Sequence, residues 1–524
     1  VSQTISMLFV RVQVDALHLS PWEILLSLAV TLTVAVLAAL QPAREAMAVP
    51  PREAMDVAPM APLRSHVISR MAFLGLFLLA LVWPVSRLPS PPSLSLPGYL
   101  AALLLFLGFA LMSPLMLRLL GRRLGPSLFR LGGQPATLAA GHLRDSGVQT
   151  AIGLGALITA VALFTALVIM IHSFRATTLL WVEQSIAGDL YVRPRLAELN
   201  RFRDPLPPRV QAAVRSLAGP VEIVPMRRLE LYLGGRSHLF EALDYAAYIR
   251  RSRFIWMDNA GDFDRIETDL ISGKGVAVSE VFANTTGLSR GDRYRVRIGD
   301  QLLDEPILGV FRDYRTRGGV VTYSLTDYQR RFDDQTWSGV QINVAAEGPA
   351  RQAITGRIRS ELLTCCGADL EMIEGHHLRR AIVEIFDETF AITTVLLIIS
   401  LVVAALGIAT TLAVLVLQRE RQLNTLSAVG ASARQVRQMI LWEAGLMVTV
   451  GQGAGLLCGV ILSILLIFVV NRQSFGWTFF FQVDWPALLT ALPLIFAAAL
   501  AAALPAVRLA LKSAPASLLR GDSQ

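Results

Sequence analysis

Seven stretches of the chain are almost continuously apolar: Trp22–Leu40, Met71–Ser86, Tyr99–Leu117, Ala151–Ile171, Phe390–Leu417, Gly445–Val470 and Pro486–Leu504. Runs of this size, at about 1.5 Å per helical residue, match a hydrocarbon core about 30 Å thick. The pattern predicts about seven transmembrane helices. The second run is the shortest and is closed by Arg70 and Arg87. The fifth and sixth exceed what a bilayer needs; tilt, or helix continuing past the membrane, would absorb the surplus. Between the fourth and fifth the pattern changes. From Phe174 to Thr389 short alternating runs sit between turn residues, as in Asp189-Leu-Tyr-Val, Val276-Ala-Val, Arg293-Tyr-Arg-Val-Arg-Ile and Pro306-Ile-Leu-Gly-Val-Phe. Such runs predict strands, with a helix over Ala350–Leu363. The expected fold class is an α-helical integral membrane protein with an added α+β domain.

Composition supports this reading. The chain is 53% hydrophobic and 17% charged, where soluble proteins carry about 25% charged residues. Mean hydropathy is +0.52. Disorder and an ordinary soluble enzyme are excluded. The net charge of +8 is unevenly placed: sixteen basic residues lie in one set of short loops, against Arg11, Arg87 and Arg472 in the other. Lys and Arg are retained on the cytoplasmic side, so the first set and the C-terminus are expected inside. The N-terminus and residues 174–386 are then extracytoplasmic. No basic-aromatic stripe points to nucleic acid, and residues 1–20 show no signal-peptide pattern.

The outer domain meets the membrane without a Pro or Gly break, through His172–Glu183 on one side and His377–Phe390 on the other. Continuous helix there would form a stiff two-helix stalk; ordinary linkers are the alternative. The first and last spans also resemble each other. Trp22 and Pro42 are 20 residues apart, as are Trp485 and Pro505, and Leu25-Leu-Ser falls on Leu488-Leu-Thr at the same shift. Internal repeats are common in transporters. The N-terminal copy has no preceding span or domain, so the chain is expected to lack the front of its first repeat.

The loop after the fifth span is the most informative. Leu423, Leu426 and Val429 fall at helical spacing and give one apolar face. Gly430 can end that helix and Ser432 can cap the next. A partner protein or the lipid headgroup layer would cover the face. This stretch resembles the cytoplasmic coupling segment of FtsX-like permeases, the membrane subunits of ABC transporters that include MacB-type exporters and lipoprotein-release systems. Leu423, Leu426, Ala428, Gly430, Ala431, Ser432, Gln435, Glu443 and Ala444 match the family pattern; Gln422, Asn424 and Ser427 stand where the family has Glu, Gly and Arg.

The resemblance implies an ATPase-coupling loop of Glu420, Arg421, Gln422, Leu423, Leu426, Val429, Gly430, Ala431, Ser432 and Gln435. It implies a cytoplasmic ABC ATPase as partner, a second permease copy or a homologous permease beside it, and a bacterial cytoplasmic membrane around it, with no cofactor. ATP-driven closure would pass through the stalk to the outer domain and export or extract a hydrophobic substrate: a lipid, lipoprotein, peptide or drug. The alternative is a signalling permease that activates an extracytoplasmic hydrolase or sensor. The implied division is 1–60 as the end of an incomplete first repeat and 61–135 as two linker spans. Residues 136–173 would open the second repeat, 174–386 form a MacB-like outer domain, and 387–524 form the C-terminal three-span domain.

Other signals are weaker. No G-x-x-x-x-G-K-[ST] occurs, so ATP hydrolysis by this chain is not expected. Gly287-Leu-Ser289-Arg-Gly291 fits G-x-S-x-G by letters, but a helix-like run precedes it and a strand-like run follows, the reverse of what a nucleophile elbow needs. Glu374, His376 and His377 are read as a solvated turn, because adjacent helical residues point about 100° apart. Cys365 and Cys366 are read as two thiols, a vicinal disulfide being the alternative. Gly451, Gly455 and Gly459 recur every four residues and allow close helix approach, within one subunit or at a dimer seam. No acidic residue lies mid-span, which argues against ion-coupled transport.

Overall fold

A computed structural model describes residues 21–48, 65–89, 95–144, 148–384 except 198, 258–261, 317 and 368, and 429–512, with scattered helical positions between 388 and 426. Its first four helices are α1 (Pro21–Ala48), α2 (Ser65–Ser86), α3 (Leu96–Arg144) and α4 (Val148–Ser185). Near the C-terminus, α11 (Ala433–Leu465) continues through a π turn at Leu466–Val470 into α12 (Asn471–Phe475), and α13 (Trp485–Lys512) closes the set. Among the described residues four helices are long and apolar enough to cross a membrane: His66–Ser86, Leu96–Arg123, Gly153–Glu183 and Ala433–Phe475. These are the second, third, fourth and sixth predicted spans. The first and last form α1 and α13, whose apolar parts are Ile24–Thr33 and Trp485–Ala498. The fifth falls almost wholly outside the described residues.

The surplus of the sixth span is helix, Ala433–Phe475 being one run of 43 residues, and the fourth span also runs on as helix. α4 has 38 residues, about 57 Å at 1.5 Å each. Its far end, with Trp181 and Val182, packs against Leu378 and Ile382 of a second helix, residues 375–384, that leaves the sheet domain. Arg379 Nη1 donates to the Ile186 carbonyl at 2.5 Å. The described part of the expected stalk is therefore helical on both sides.

The domain between them is one nine-stranded mixed sheet. Its strands are β1 (Leu190–Pro194), β2 (Val221–Leu233), β3 (Arg236–Leu243), β4 (Val276–Ser279), β5 (Arg293–Ile298), β6 (Gln301–Phe311), β7 (Val320–Ser324), β8 (Gly339–Val344) and β9 (Leu370–Glu374). The order is β5-β6-β4-β7-β3-β2-β8-β1-β9. The β3–β7 and β4–β6 pairs are parallel and the others antiparallel. Six helices flank it: α5 (Pro208–Arg215), α6 (Tyr245–Ile249), α7 (Phe263–Ile271), α8 (Glu280–Thr286), α9 (Leu325–Phe332) and α10 (Gly348–Cys366). The four sequence-predicted strands are β1, β4, β5 and the end of β6, and the predicted helix is α10. β1 and β9 pair side by side, so both stalk helices join the same sheet edge.

One expectation is overturned here. Cys365 and Cys366 are joined as a vicinal disulfide, with Cα atoms 3.7 Å apart. They end α10, and Gly367, at φ +76°, turns the chain away, so the two side chains are free of a further helical turn and converge.

The membrane core is built by α3, α4 and α11 around Leu105, Leu143, Leu154, Leu157, Ile158 and Met447. The glycine stripe faces α4 of the same chain. A Cβ on Gly455 would lie 2.6 Å from Val161 Cβ, and one on Gly459 would lie 2.8 Å from the Ala162 carbonyl oxygen. On this face the glycines meet α4 of the same chain. A matching contact joins α2 to α3, where a Cβ on Gly75 would lie 2.8 Å from the Gly108 carbonyl oxygen. Because a methyl group on Gly459 would press on α4 backbone, Gly459→Ala should destabilise the bundle by about 1–3 kcal/mol, the usual range for overpacking. Thermal unfolding in detergent reads this as a lowered Tm; an unchanged Tm would mean that the helices are not in contact there.

Candidate functional site

The segment between α12 and α13 is neither helix nor strand. Gly476, at φ +78°, ends α12. Asp484 starts α13 by accepting the Ala487 N–H at 3.1 Å. Between them Trp477–Val483 threads between α4 and the sheet domain, and both sides hold it. On the α4 side, Ser173 Oγ donates to the Gln482 carbonyl at 3.0 Å and accepts the Gln482 N–H at 3.0 Å. Thr177 Oγ1 accepts the Phe480 N–H at 2.9 Å. On the domain side, Arg312 Nη1 and the Tyr314 hydroxyl both donate to the Thr478 carbonyl, at 2.9 and 3.4 Å. Asn284 Nδ2 donates to the Gly476 carbonyl at 2.7 Å. The Thr478 hydroxyl donates to Glu280 Oε1 at 2.7 Å.

Aromatic rings close the joint. Trp477 lies 4.4 Å from Tyr314, Phe479 meets Phe174 edge-on at 4.8 Å, and the Arg312 guanidinium stands 4.0 Å over Phe480. This clasp ties α4, the α11–α12 helix and the sheet domain to one another. Glu280 is buried at its centre, 3% exposed, and Oε2 has no partner among the described residues. Burial raises its pKa above the ordinary carboxyl value, against the bond from Thr478 and the nearby Arg312 charge.

Beside the clasp lies a vestibule of about 3200 Å³ between the ends of α2 and α11 and one face of the sheet. Its membrane end is apolar, with Leu79, Val82, Ile461 and Phe468; its domain end is charged. There Glu241 lies between Arg228 at 2.7 Å and Arg315 at 2.9 Å, and Asp313 pairs with Arg315 at 2.7 Å. Burial works against the Glu241 charge, but the Arg315 and Arg228 guanidiniums prevail and hold its pKa at about 2. His238, on the same wall, is pushed by burial to about 4 and stays neutral at physiological pH.

The sequence-predicted site residues fare unevenly. Ser432 caps α11, with Gln435 completing a capping box. Gly430 sits at φ +109°. Leu426 and Ala431 pack against the membrane core. Val429 is 83% exposed and donates its N–H to the Thr425 carbonyl at 3.0 Å. Glu420, Arg421, Gln422 and Leu423 lie outside the described residues. Gly451, Gly455 and Gly459 are packing positions, as described above. Ser289 is exposed and donates its hydroxyl to Asp292, with α8 before it and β5 after it.

His376 and His377 are exposed just after the strand, as expected of a solvated turn, but their rings converge on Glu374. His376 Nδ1 and His377 Nε2 lie 3.5 and 3.8 Å from Glu374 Oε2. The pair sits in the first turn straight after β9, so both rings fold back on the strand's last residue. The clasp itself escaped the sequence analysis. Arg312 and Glu280 are 166 and 198 residues from Thr478. The aromatic run Trp477-Thr-Phe-Phe-Phe at a membrane boundary was the one available signal.

The buried carboxyl sets a pH dependence. Its folded pKa is raised, so its stabilising contribution is complete below the ordinary value of 4.5 and is lost as pH climbs through the raised value. Glu280→Gln keeps an acceptor for Thr478 without charge. At neutral pH its Tm should equal or exceed that of the unsubstituted protein, and the difference should shrink as pH falls toward 4.5. A variant less stable at neutral pH and equally so at acid pH would show that the carboxylate charge itself holds the clasp.

Residues 394–515 match the FtsX-like permease C-terminal family. Over 97% of its length the chain is 28% identical to an uncharacterized ABC transporter permease protein of Mycobacterium tuberculosis, and it spans 59% of that relative. Two solved structures align with low similarity. One is the extracellular domain of the ABC-type transporter YknZ from Gram-positive bacteria, at 11% identity, TM-score 0.25, covering 36% of this chain and 99% of that one. The other is the periplasmic region of MacB from Actinobacillus actinomycetemcomitans, at 10% identity, TM-score 0.26, covering 39% and 97%. Residues 394–515 therefore resemble an FtsX-like permease C-terminal domain, and nearly the whole chain is similar to a protein described as an ABC transporter permease.

Proposed function

We propose that the chain is the passive lever of an ABC transporter. A separate cytoplasmic ATPase docks on the loop before α11. Its nucleotide-driven closure moves α11 and α4, and the sheet domain moves an apolar substrate on the far side of a bacterial cytoplasmic membrane. The observation that carries this reading is the clasp: α4 and α11 both outrun the bilayer, and both are fastened to the sheet domain by Trp477–Val483. The loop charges favour a C-terminus inside and residues 174–386 outside. A disulfide at Cys365–Cys366 suits an oxidising compartment. The division at 60, 135, 173 and 386 is part of the same proposal. The glycine stripe is occupied by α4, so the second permease copy in this scheme meets the chain elsewhere. The vestibule favours transport over the signalling alternative, since a signal relay needs no space of that size.

Purification in mild detergent should bring an ATP-binding protein along, and the chain freed of it should not hydrolyse ATP. Val429→Asp places a charge on an exposed turn and should cut that co-purification at least about tenfold, the effect of losing one buried apolar contact to an unpaired charge, with Tm unchanged. Unaltered co-purification would remove this turn from the docking surface. In whole cells, Ser289→Cys should react with a membrane-impermeant maleimide; reaction only after lysis would invert the topology.

A further inference from the structure

The vestibule is lined by paired arginines on the sheet domain and, near the ends of α2 and α12, by arginines without an ion pair among the described residues. Deep in it, Arg228 and Arg315 are matched by Glu241 and Asp313. At the mouth, Arg472 of α12 donates to Asn284 Oδ1 at 3.1 Å, and Arg236 of β3 donates to the carbonyl of the next residue, Thr285. Two guanidiniums thus stand over the same end of α8. Arg87 completes the mouth at the end of α2, its guanidinium 4.3 Å over the Trp83 ring. Gln473 Nε2 donates to the Ser86 carbonyl at 3.5 Å and brings that helix end alongside α12. All three arginines are exposed, line the same space, and form no ion pair among the described residues. Just below them the walls are apolar and partly bare: Trp83 of α2 is 64% exposed, and Ile464 and Phe468 on the facing helix are 41% and 42% exposed.

From this arrangement we propose that the vestibule binds an anionic amphiphile, a molecule with a long apolar chain and a phosphate or carboxylate head. The chain lies between α2 and α11 and the head meets Arg236, Arg472 and Arg87. A neutral apolar compound leaves three guanidiniums without an anionic partner. A small free anion leaves the apolar walls in water. An amphiphile with an anionic head satisfies both, because charge-assisted bonds from guanidinium to phosphate or carboxylate are strong and can be bidentate. The proposal deepens the transport reading by naming the substrate class, and it rests on that reading only for why such a molecule is moved.

The test uses the full chain in neutral detergent, without ATPase or nucleotide. Quenching of tryptophan fluorescence follows binding of lysophosphatidylglycerol with a brominated acyl chain, since Trp83 and Trp477 line the space. Its half-saturation should come at a concentration about tenfold lower than that of the equivalent lysophosphatidylcholine, the worth of one or two charged hydrogen bonds. The double variant Arg236→Gln/Arg472→Gln should abolish that preference with Tm unchanged, while Arg297→Gln, an exposed arginine on β5, should leave it intact. sn-Glycerol 3-phosphate should not compete. Equal quenching by the two lipids, or a preference that survives the double variant, would reduce the ligand to annular lipid and overturn the proposal. Competition by glycerol phosphate would overturn it too, in favour of a plain anion site. Failure to co-purify an ATPase leaves this binding result standing, so the two readings fail separately.

Discussion

A backbone that leaves helical structure beside a bilayer must find partners for every N–H and C=O group, because the hydrocarbon supplies none. The chain faces this demand at Gly476–Asp484, where it turns from one membrane helix to the next. It meets the demand with side chains rather than a strand partner: Ser173 and Thr177 from below, Arg312, Tyr314 and Asn284 from above. The same bonds that make an irregular segment tolerable at this depth also tie the membrane bundle to the sheet domain. Each is worth about 1 kcal/mol net, so the joint holds by their number and by the aromatic packing around them. Glu280 is the exception, since a buried carboxyl costs more the more fully it ionises.

The bundle below the joint works by a different rule. Between apolar helices in lipid the driving force is close contact, and Gly75, Gly108, Gly455 and Gly459 let backbones approach to within a missing Cβ. Close packing makes α4 and α11 behave as one body. The clasp is where this packed pair meets the sheet.

The spans were legible because a lipid-facing helix has to be apolar over its whole length, and the strands β1, β4, β5 and β6 because short apolar or alternating runs stand out between turns. β5 shows the alternation cleanly, with every second residue buried. β7 and β8 did not stand out, since they are buried on both faces, and the polar positions Thr322, Gln341 and Asn343 sit inside the sheet. β2 was hidden by Arg227 and Arg228, whose charges make sense only once Asp334 and Glu241 are opposite them. Local signals at Gly430, Ser432 and Gln435 were readable because a helix cap is made by neighbours in sequence. The clasp and the vestibule were out of reach, because each assembles residues from elements far apart in the chain.

The distribution of charge along this path has a mechanical consequence. Inside the sheet domain, Arg228, Glu241, Arg315 and Asp313 form a paired network, and removing one partner from such a network strands the charge of another. That wall is therefore costly to rearrange. The mouth carries its positive charge on the ends of separate elements, Arg87 on α2, Arg236 on β3 and Arg472 on α12. A shift of α12 against α2 changes the spacing of these guanidiniums and leaves the deep network untouched. An anion bridging them is held when they converge and loosened when they part, which couples the grip on a charged head to the position of the membrane helices without any change in the fold of either unit.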